Sequence, residues 1–384
     1  MLPSQRSLFS LPDGLHYLNG AYQSPLLKAG EAAGIAGVRA KNDPSAVTPA
    51  DFFEPADRCR QRFADLVDGD AAQVALVPAA SYAMATVAQN LAVEAGQTLV
   101  VLAEQFPSHV YPWRRLADES GATVATVSPP APLGTPGRGG EWNARLRAAI
   151  GPETALVAVP HVHWADGTVF DLVAVGVRCR EVGAALVVDG TQSVGALPFS
   201  VAEVRPDALA CAGYKWLLGP YTSGCLWLGE RFLNGRPLEE NWIGRAGSDQ
   251  FSGLTDYQDA YAPGAARFDV GERSSPILLP MLTAGLEQIL AWGVPAIQAR
   301  CRMLADRIVS GAAEVGYRAE AAEHRAGHLF GLAPPAGTDL DAVRQSLAAR
   351  NVSVSVRGAA LRVSPHVYND EADAEALLAA LAEA

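Results

Sequence analysis

The sequence lacks paired cysteines, long hydrophobic runs and the common nucleotide-binding loops. Its five cysteines are dispersed and form no C-x-x-C pair, which argues against a disulfide framework or a zinc site and is typical of a reducing cytoplasm. No segment approaches the ~20 apolar residues that cross a bilayer, and the N-terminal segment lacks the features of a signal peptide. Without a G-x-G-x-x-G or Walker sequence, a nucleotide site has no support. These absences predict a cytoplasmic protein that contacts no membrane.

Positive charge is also scarce. The chain has 30 basic and 41 acidic residues and a formal charge of −11. An acidic surface of that size repels the phosphates of nucleic acids and anionic lipids, so we expect neither as a partner. The 384 residues are 49% hydrophobic, which is enough for a packed core and, at ~150 residues per domain, indicates two domains.

From about residue 70 onwards, short β-rich runs alternate with helical stretches. The strand-like segments are TLVVLAEQF, GATVATVS, TALVAVPHV, AALVVDG, DALACAGY and GCLWLG. Continuously apolar strands that alternate with helices are typical of a mainly parallel α/β sheet covered on both faces. The segment PPAPLGTPGRGGEW interrupts this series and is predicted to be a surface loop.

The composition shifts near residue 260. Helical segments such as IQARCRMLADRIVSGAAEVG then alternate with HLFGLAP, VSVSVR and LRVSP, which suit a small antiparallel sheet. We predict a large domain over 16–262, a smaller α+β domain over 263–384, and an N-terminal arm, 1–15, that packs on one of them.

Lysine is rare even among the basic residues. Only Lys28, Lys41 and Lys215 are lysines, out of 30 basic residues in all. Arginine solvates a surface equally well, but only an amine can lose its proton and form a Schiff base. Lys28 and Lys41 are interpreted as surface lysines. Lys215 follows a predicted strand, in CAGYKWLLGP, and is a candidate for chemistry.

Several other candidate residues follow predicted strands of the same sheet. In a parallel sheet the carboxyl ends of the strands meet at one edge, where they form a crevice. Pyridoxal phosphate (PLP) needs a lysine amine, a carboxylate beside the pyridine nitrogen, an aromatic cover, and a helix N-terminus for its phosphate. The candidates at this edge are Ala80, Ser81, Phe106, Asp189, Gln192, Tyr214 and Lys215. Taken together they predict a PLP site.

The segments LNGAYQSP, VDGTQSVGALPFSV, AGYKWLLGPYTSGCLWLG, RFDVGERSSP and LRVSPHVYND resemble the class V aminotransferase family, which includes cysteine desulfurases, kynureninases and isopenicillin N epimerase-like enzymes. The match runs in order from about residue 16 to the end. It implies the fold type I architecture of PLP-dependent transferases, with a mainly parallel seven-stranded sheet in the large domain and a small α+β C-terminal domain. It also implies a homodimer with shared active sites.

The resemblance also implies roles for individual residues. Lys215 would form the Schiff base, and Asp189 would hold the pyridine nitrogen. Gln192 would contact the ring hydroxyl and Phe106 would stack on the ring. The implied phosphate ligands are Ala80, Ser81, Tyr214 and, from the partner subunit, the segment Glu272 to Ser274. Arg362 would bind the substrate carboxylate, and Trp164 lies where desulfurases carry an asparagine near the ring.

The departures from the desulfurase pattern concern the reaction. The region AARNVSVSVRGAALRVS contains no cysteine where desulfurases carry their nucleophile, so persulfide chemistry is not expected. Ala212 replaces a common phosphate-binding serine. His109 is a candidate substrate contact or a histidine at a helix start, and the two interpretations are equally favoured. His161 and His163 could share one strand face, but without a third ligand no metal is predicted.

The first functional hypothesis is an aminotransferase acting on an amino acid or another amine-bearing metabolite. The second is a carbon–sulfur lyase that uses β-elimination without a catalytic cysteine. Epimerisation and kynureninase-type hydrolysis stay open, because all begin with the same lysine chemistry. A PLP-binding regulator is the alternative outside enzymes, and the presence of Lys215, Asp189 and Arg362 argues against it.

Overall fold

A computed structural model describes residues 2–383. The strands are β1 (His16–Tyr17), β2 (Val74–Val77), β3 (Thr98–Leu102), β4 (Thr123–Val127), β5 (Thr154–Pro160), β6 (Ala185–Asp189), β7 (Ala208–Ala212), β8 (Gly224–Leu228), β9 (Phe330–Leu332), β10 (Val352–Ser353), β11 (Ser355–Arg357) and β12 (Ala360–Val363). The α-helices are α1 (Lys28–Ala40), α2 (Glu54–Val67), α3 (Ala80–Asn90), α4 (Tyr111–Ser120), α5 (Arg138–Ala148), α6 (Leu172–Val182), α7 (Val201–Val204), α8 (Leu278–Trp292), α9 (Val294–Glu314), α10 (Leu340–Ala349) and α11 (Glu371–Ala382).

The central sheet has seven strands in the order β2-β8-β7-β6-β5-β3-β4. Strand β8 runs antiparallel to both of its neighbours, β2 and β7, and the remaining pairs are parallel. The predicted mainly parallel seven-stranded sheet is therefore confirmed. Since six strands share one direction, their carboxyl ends lie along one edge, and the loops that follow them meet there.

Both faces of this sheet are buried, as the continuous apolar strands predict. Along β3, Leu99 and Val101 belong to one hydrophobic core, whereas Val100 and Leu102 belong to the other. Side chains alternate between the two faces of a strand, so a strand covered on both faces must be apolar throughout. Because each strand is packed on both faces, the residues at its end are held in place as well.

The C-terminal segment forms a second, three-stranded antiparallel sheet in the order β11-β12-β9. Helices α9 and α11 share a third hydrophobic core with this sheet, which includes Ile308, Phe330, Leu361 and Leu377. The antiparallel sheet expected for this region is present. The division at residues 262 and 263 itself stays a prediction.

The N-terminal segment lies against the C-terminal one. Strand β1 pairs in parallel with β10, with His16 opposite Val352. The Gln5 backbone N–H donates to the Val367 carbonyl at 2.7 Å. Residues 16 and 17, assigned to the large domain from sequence, thus pair with the C-terminal segment.

Helix α5 begins earlier than the sequence indicates. It starts at Arg138, inside the segment predicted to be a surface loop, and follows Gly137, which has a φ of 76°. The Arg138 guanidinium is buried and forms ion pairs with Asp166 at 2.7 Å and Glu320 at 2.9 Å. These tertiary contacts stabilise a helix start that the local Pro/Gly composition disfavours.

Within residues 2–383, no helix is both long enough and apolar enough to cross a membrane.

Candidate active site

A cavity of about 300 Å³ opens at the carboxyl edge of the central sheet. It is lined by residues from the loops that follow β2, β3, β5, β6 and β7. The predicted site residues among them are Ala80, Ser81, Phe106, Trp164, Asp189, Gln192, Tyr214 and Lys215. The structure thus brings together eight residues that are far apart in the sequence.

Lys215 lies just after β7 and is only 6% exposed. Its Nζ atom is 5.5 Å from the ring centroid of Phe106 and 5.4 Å from that of Tyr214. Burial lowers the pKa of Lys215 from 10.5 to about 8, because removing water disfavours the charged amine; Asp189 opposes this shift. About a tenth of this amine is therefore uncharged at pH 7, far more than for an ordinary lysine, and the uncharged form is the one that acts as a nucleophile or base.

Asp189 is the last residue of β6 and shares the cavity with Lys215. One of its carboxylate oxygens, Oδ1, accepts the Thr191 backbone N–H at 2.9 Å. The tight turn after the strand thus orients the carboxylate. The only carboxylate among the lining residues is that of Asp189.

Gln192 is held by hydrogen bonds at both ends of its amide. Its Oε1 accepts the Trp216 indole N–H at 2.8 Å, and its Nε2 donates to the Ala21 carbonyl at 3.1 Å. The side chain is therefore fixed from two sides, by the segment after Lys215 and by the N-terminal segment.

Helix α3 presents its N-terminus to the cavity. Ala79, Ala80 and Ser81 all line the cavity, and no side chain caps the helix. The first backbone N–H groups of a helix have no partner within the helix, and the helix dipole adds partial positive charge there. Uncapped donors at this place suit a phosphate dianion.

An aromatic wall closes one side of the cavity. The rings of Phe106 and Trp164 meet edge to face, with centroids 5.5 Å apart and planes at 83°. The Trp164 indole N–H donates to the Glu104 carbonyl at 2.6 Å, which fixes its ring. The wall is rigid and apolar, as a planar aromatic cofactor requires.

Arg362 lies behind this wall and is only 1% exposed. Its Nη1 donates to the Trp164 carbonyl at 2.9 Å, whereas its Nε and Nη2 atoms are buried without a hydrogen-bond partner. Burial lowers the pKa of Arg362 to about 9; Arg357 adds to this effect and Tyr17 opposes it. The guanidinium thus keeps two free donors for a ligand.

Three predicted residues do not line the cavity: Arg362, described above, His109 and Ser274. His109 is 1% exposed and lies in the short 3-10 turn Pro107–His109, where burial lowers its pKa to about 4, so that its ring is neutral at pH 7. Ser274 donates its hydroxyl to the Phe52 carbonyl. The roles implied for these three residues stay predictions.

His161 and His163 do not form a pair. Strand β5 ends before them, at Pro160, and their rings pack on different residues: His161 on Phe199 and His163 on Trp142. Among the residues that the structure describes, no three His, Cys, Asp or Glu side chains are arranged to hold a metal ion.

Gln105, Thr191, Tyr221 and Thr222 also line the cavity. Thr191 lies between two predicted residues in VDGTQSVG, and Tyr221 and Thr222 follow the lysine in GPYTSG, so closeness in sequence was the available signal. Gln105 directly precedes Phe106, so the same signal applies to it; it accepts the Leu102 backbone N–H and donates to the His109 carbonyl.

The cavity fits PLP. It combines a buried amine, a single oriented carboxylate, an aromatic wall and an uncapped helix N-terminus, which are the four features that this cofactor requires. The fold and the cavity together define the class of PLP-dependent enzymes with the fold type I architecture.

Comparison with known proteins identifies the family. The sequence model of the family described as "Aminotransferase class-V" matches residues 46–377. The chain is 27% identical over 318 residues to the "Uncharacterized aminotransferase YcbU" of Bacillus subtilis (strain 168), covering 83% of this chain and 80% of that protein. It is 28% identical over 346 residues to an isopenicillin N epimerase of Streptomyces clavuligerus, covering 84% and 83%.

Solved structures agree on the fold. A mutant of C-DES with glycine covalently linked to its PLP cofactor superimposes with a TM-score of 0.88 at 21% identity, covering 99% of both chains. The apo structure of a cysteine desulfurase from Thermococcus onnurineus gives a TM-score of 0.81 at 20% identity, covering 98% and 96%. The chain belongs to the class V aminotransferase family. Since this family is PLP-dependent, PLP is its cofactor.

Proposed function

We propose that the protein is an aminotransferase that acts on an α-amino acid through Lys215. The observation that carries the proposal is the buried Lys215 amine, whose pKa of about 8 keeps it partly uncharged in the same cavity as Asp189. The likeness to YcbU, described as an uncharacterized aminotransferase, supports it.

Each residue has a separate task in this proposal. Bound PLP supplies the electron-accepting ring that stabilises negative charge at the substrate Cα. Lys215 would move the Cα proton, since an uncharged amine is a competent general base near neutral pH. Asp189 holds the pyridine nitrogen protonated, and Arg362 binds the substrate carboxylate with its free Nε and Nη2 donors. Phe106 and Trp164 exclude water from this face.

A carbon–sulfur lyase is the second candidate. Lys215 and Asp189 would serve β-elimination equally well. All five cysteines are buried as free thiols outside the cavity lining. Burial raises the pKa of Cys301 to about 12, so its thiol stays protonated. Persulfide formation on the protein is therefore not proposed, and a lyase reaction would have to eliminate the sulfur group directly.

The assembly and compartment belong to the same proposal. We propose a homodimer in which the segment Glu272 to Ser274 reaches the cavity of the partner subunit, since Ser274 does not line the cavity of its own chain. Five free cysteines support a reducing cytoplasm.

The test is the visible spectrum of the holoenzyme during addition of single amino acids without a keto acid. We expect one amino acid to convert the absorption band stably to that of the amine form of the cofactor, and to release its keto acid once per active site. A band that persists while ammonia and keto acid accumulate would overturn transamination in favour of the lyase.

Lys215→Ala and Lys28→Ala form a matched pair of variants for this experiment. Borohydride reduction should attach the cofactor to the Lys215 peptide in the wild type and in Lys28→Ala, because Lys28 is an exposed lysine on α1. Lys215→Ala should show no attachment and no amino acid conversion. Attachment to another lysine would contradict the assignment of Lys215.

A further inference from the structure

A second arginine, Arg357, lies beside Arg362; both lie next to the cavity-lining Trp164, and neither lines the cavity itself. Arg357 ends β11 and Arg362 lies in β12, in a hairpin where Arg357 pairs with Ala360 and Ser355 with Arg362. The guanidinium carbon of Arg357 is 5.4 Å from the centroid of the Trp164 ring, and that of Arg362 is 5.9 Å from it. Two positive charges therefore flank one cavity-lining tryptophan.

These two charges have no anionic partner in the part of the chain from 2 to 383. Arg357 is half-buried, its Nη1 donates only to the Val356 carbonyl at 2.8 Å, and its Nε is buried without a partner. Arg362 likewise has two unpartnered nitrogens. Proteins rarely leave buried charges unpaired, because the lost hydration is not replaced.

The two guanidiniums also act on each other and on Lys215. Arg357 disfavours the charged form of Arg362, and both arginines help to lower the pKa of Lys215. Like charges that disfavour each other in this way destabilise the site unless a ligand neutralises them. One substrate carboxylate would leave a net positive charge, whereas two carboxylates would balance both.

We propose that the substrate is an amino acid with two carboxylates, the α-carboxylate bound by Arg362 and the side-chain carboxylate by Arg357. This inference rests on the proposed function, because it names the substrate class of the same site. A carboxylate fits the planar fork of a single arginine, and both forks lie near the same cavity-lining ring, that of Trp164. Arg357 is then a specificity residue.

The first experiment measures binding without turnover. Isothermal titration of the holoenzyme with glutarate and with valerate compares two acids of equal chain length that differ by one carboxylate. We expect glutarate to bind on the order of 10- to 100-fold more tightly, as one charge-assisted contact provides. Arg357→Gln should remove this preference and leave valerate binding unchanged.

Two further variants complete the design. Arg357→Lys keeps the charge without the fork and should retain part of the preference for glutarate. Arg344→Gln removes an exposed arginine of α10 that pairs with Asp341 and should bind both acids like the wild type. The proposal is overturned if the wild type binds glutarate and valerate with equal affinity. It is also overturned if Arg357→Gln lowers the affinity for both acids by the same factor.

The second experiment uses the reaction. For the wild type we expect kcat/KM for glutamate to exceed that for glutamine by 10-fold or more, and the ratio to fall to about one in Arg357→Gln. Preference for O-phosphoserine over glutamate and aspartate would overturn the assignment of a carboxylate. If no amino acid alters the cofactor band, the proposed function fails, while the titrations still decide the role of Arg357.

Discussion

Replacing Asp269 by asparagine should destabilise the protein strongly, because this carboxylate neutralises two buried arginines. Asp269 is 1% exposed and forms ion pairs with Arg60 and, at 3.0 Å, with Arg273. Its other oxygen accepts the Leu76 backbone N–H at 2.7 Å. An asparagine oxygen can still accept that hydrogen bond, but the amide NH2 then replaces the oxygen that faces both arginines, so the substitution removes the charge and puts a donor against their donors.

The size of the effect follows from the burial of all three side chains. Removing one partner of a buried ion pair costs about 3–5 kcal/mol, because the remaining charge stays without water or counter-charge. Arg60 keeps a contact with Asp57, so the lower half of this range is expected. With an unfolding entropy of ~2.1 cal/mol/K per residue, the 384 residues give ~0.8 kcal/mol/K. The expected fall in Tm is therefore about 4–5 °C.

The assay is thermal unfolding of the holoenzyme by circular dichroism at one fixed scan rate, because unfolding of a chain this long is often irreversible. Asp65→Asn is the matched control. It breaks an exposed ion pair with Arg62 on helix α2, the helix that also carries Arg60, and this pair is worth at most about 1 kcal/mol. The triple variant Arg60→Met, Asp269→Leu, Arg273→Met should recover most of the loss. If the Tm of Asp269→Asn equals that of the Asp65→Asn control, the reasoning about buried charge is wrong.

Two further predictions concern the lysine and the assembly. The pKa of Lys215 is lowered to about 8, and only the uncharged amine reacts with PLP. The rate constant for PLP binding to the apoprotein, measured by stopped flow, should therefore rise with pH up to about 8 and level off above it. A rate constant that still rises towards pH 10 would indicate an ordinary lysine. Sedimentation of the holoenzyme should give twice the mass of one chain, and Ser274→Ala should weaken PLP binding without lowering this mass. A monomer with full activity would contradict the shared site.

The centre of the cavity could be predicted from the sequence because the strands are read directly from their composition. AALVVDG and DALACAGYK are apolar on both faces and end in residues that differ sharply from the rest of the strand. Parallel strands bring such ends to one edge, so Asp189 and Lys215 were expected at the same edge of the sheet. No side-chain direction is needed for that inference.

Residues whose place depends on register or rotamer could not be predicted in this way. Arg357 comes beside Arg362 only through the pairing of β11 with β12, and a shift by one residue would turn its side chain to the other face. His109 lies three residues after Phe106, yet it turns into the core. Both positions depend on packing between distant segments.

The start of helix α5 illustrates the same limit. Its first turn contains Gly139 and Gly140, which disfavour helices, and the stabilising partners of Arg138 are 28 and 182 residues away. Sequence patterns report local preference and periodicity. Contacts over such separations become visible only once the fold is known.

The pairing of β1 with β10 has a consequence for how the protein is made. Asn19, just after β1, accepts a hydrogen bond from Ser355, which lies 336 residues later in the chain. At a synthesis rate of ~5–20 residues per second, the ribosome needs roughly 20–70 s to produce that partner. Ala21, whose carbonyl accepts the hydrogen bond that orients Gln192, lies in the same N-terminal segment. A nascent chain can therefore complete its central sheet well before its cavity is fully assembled.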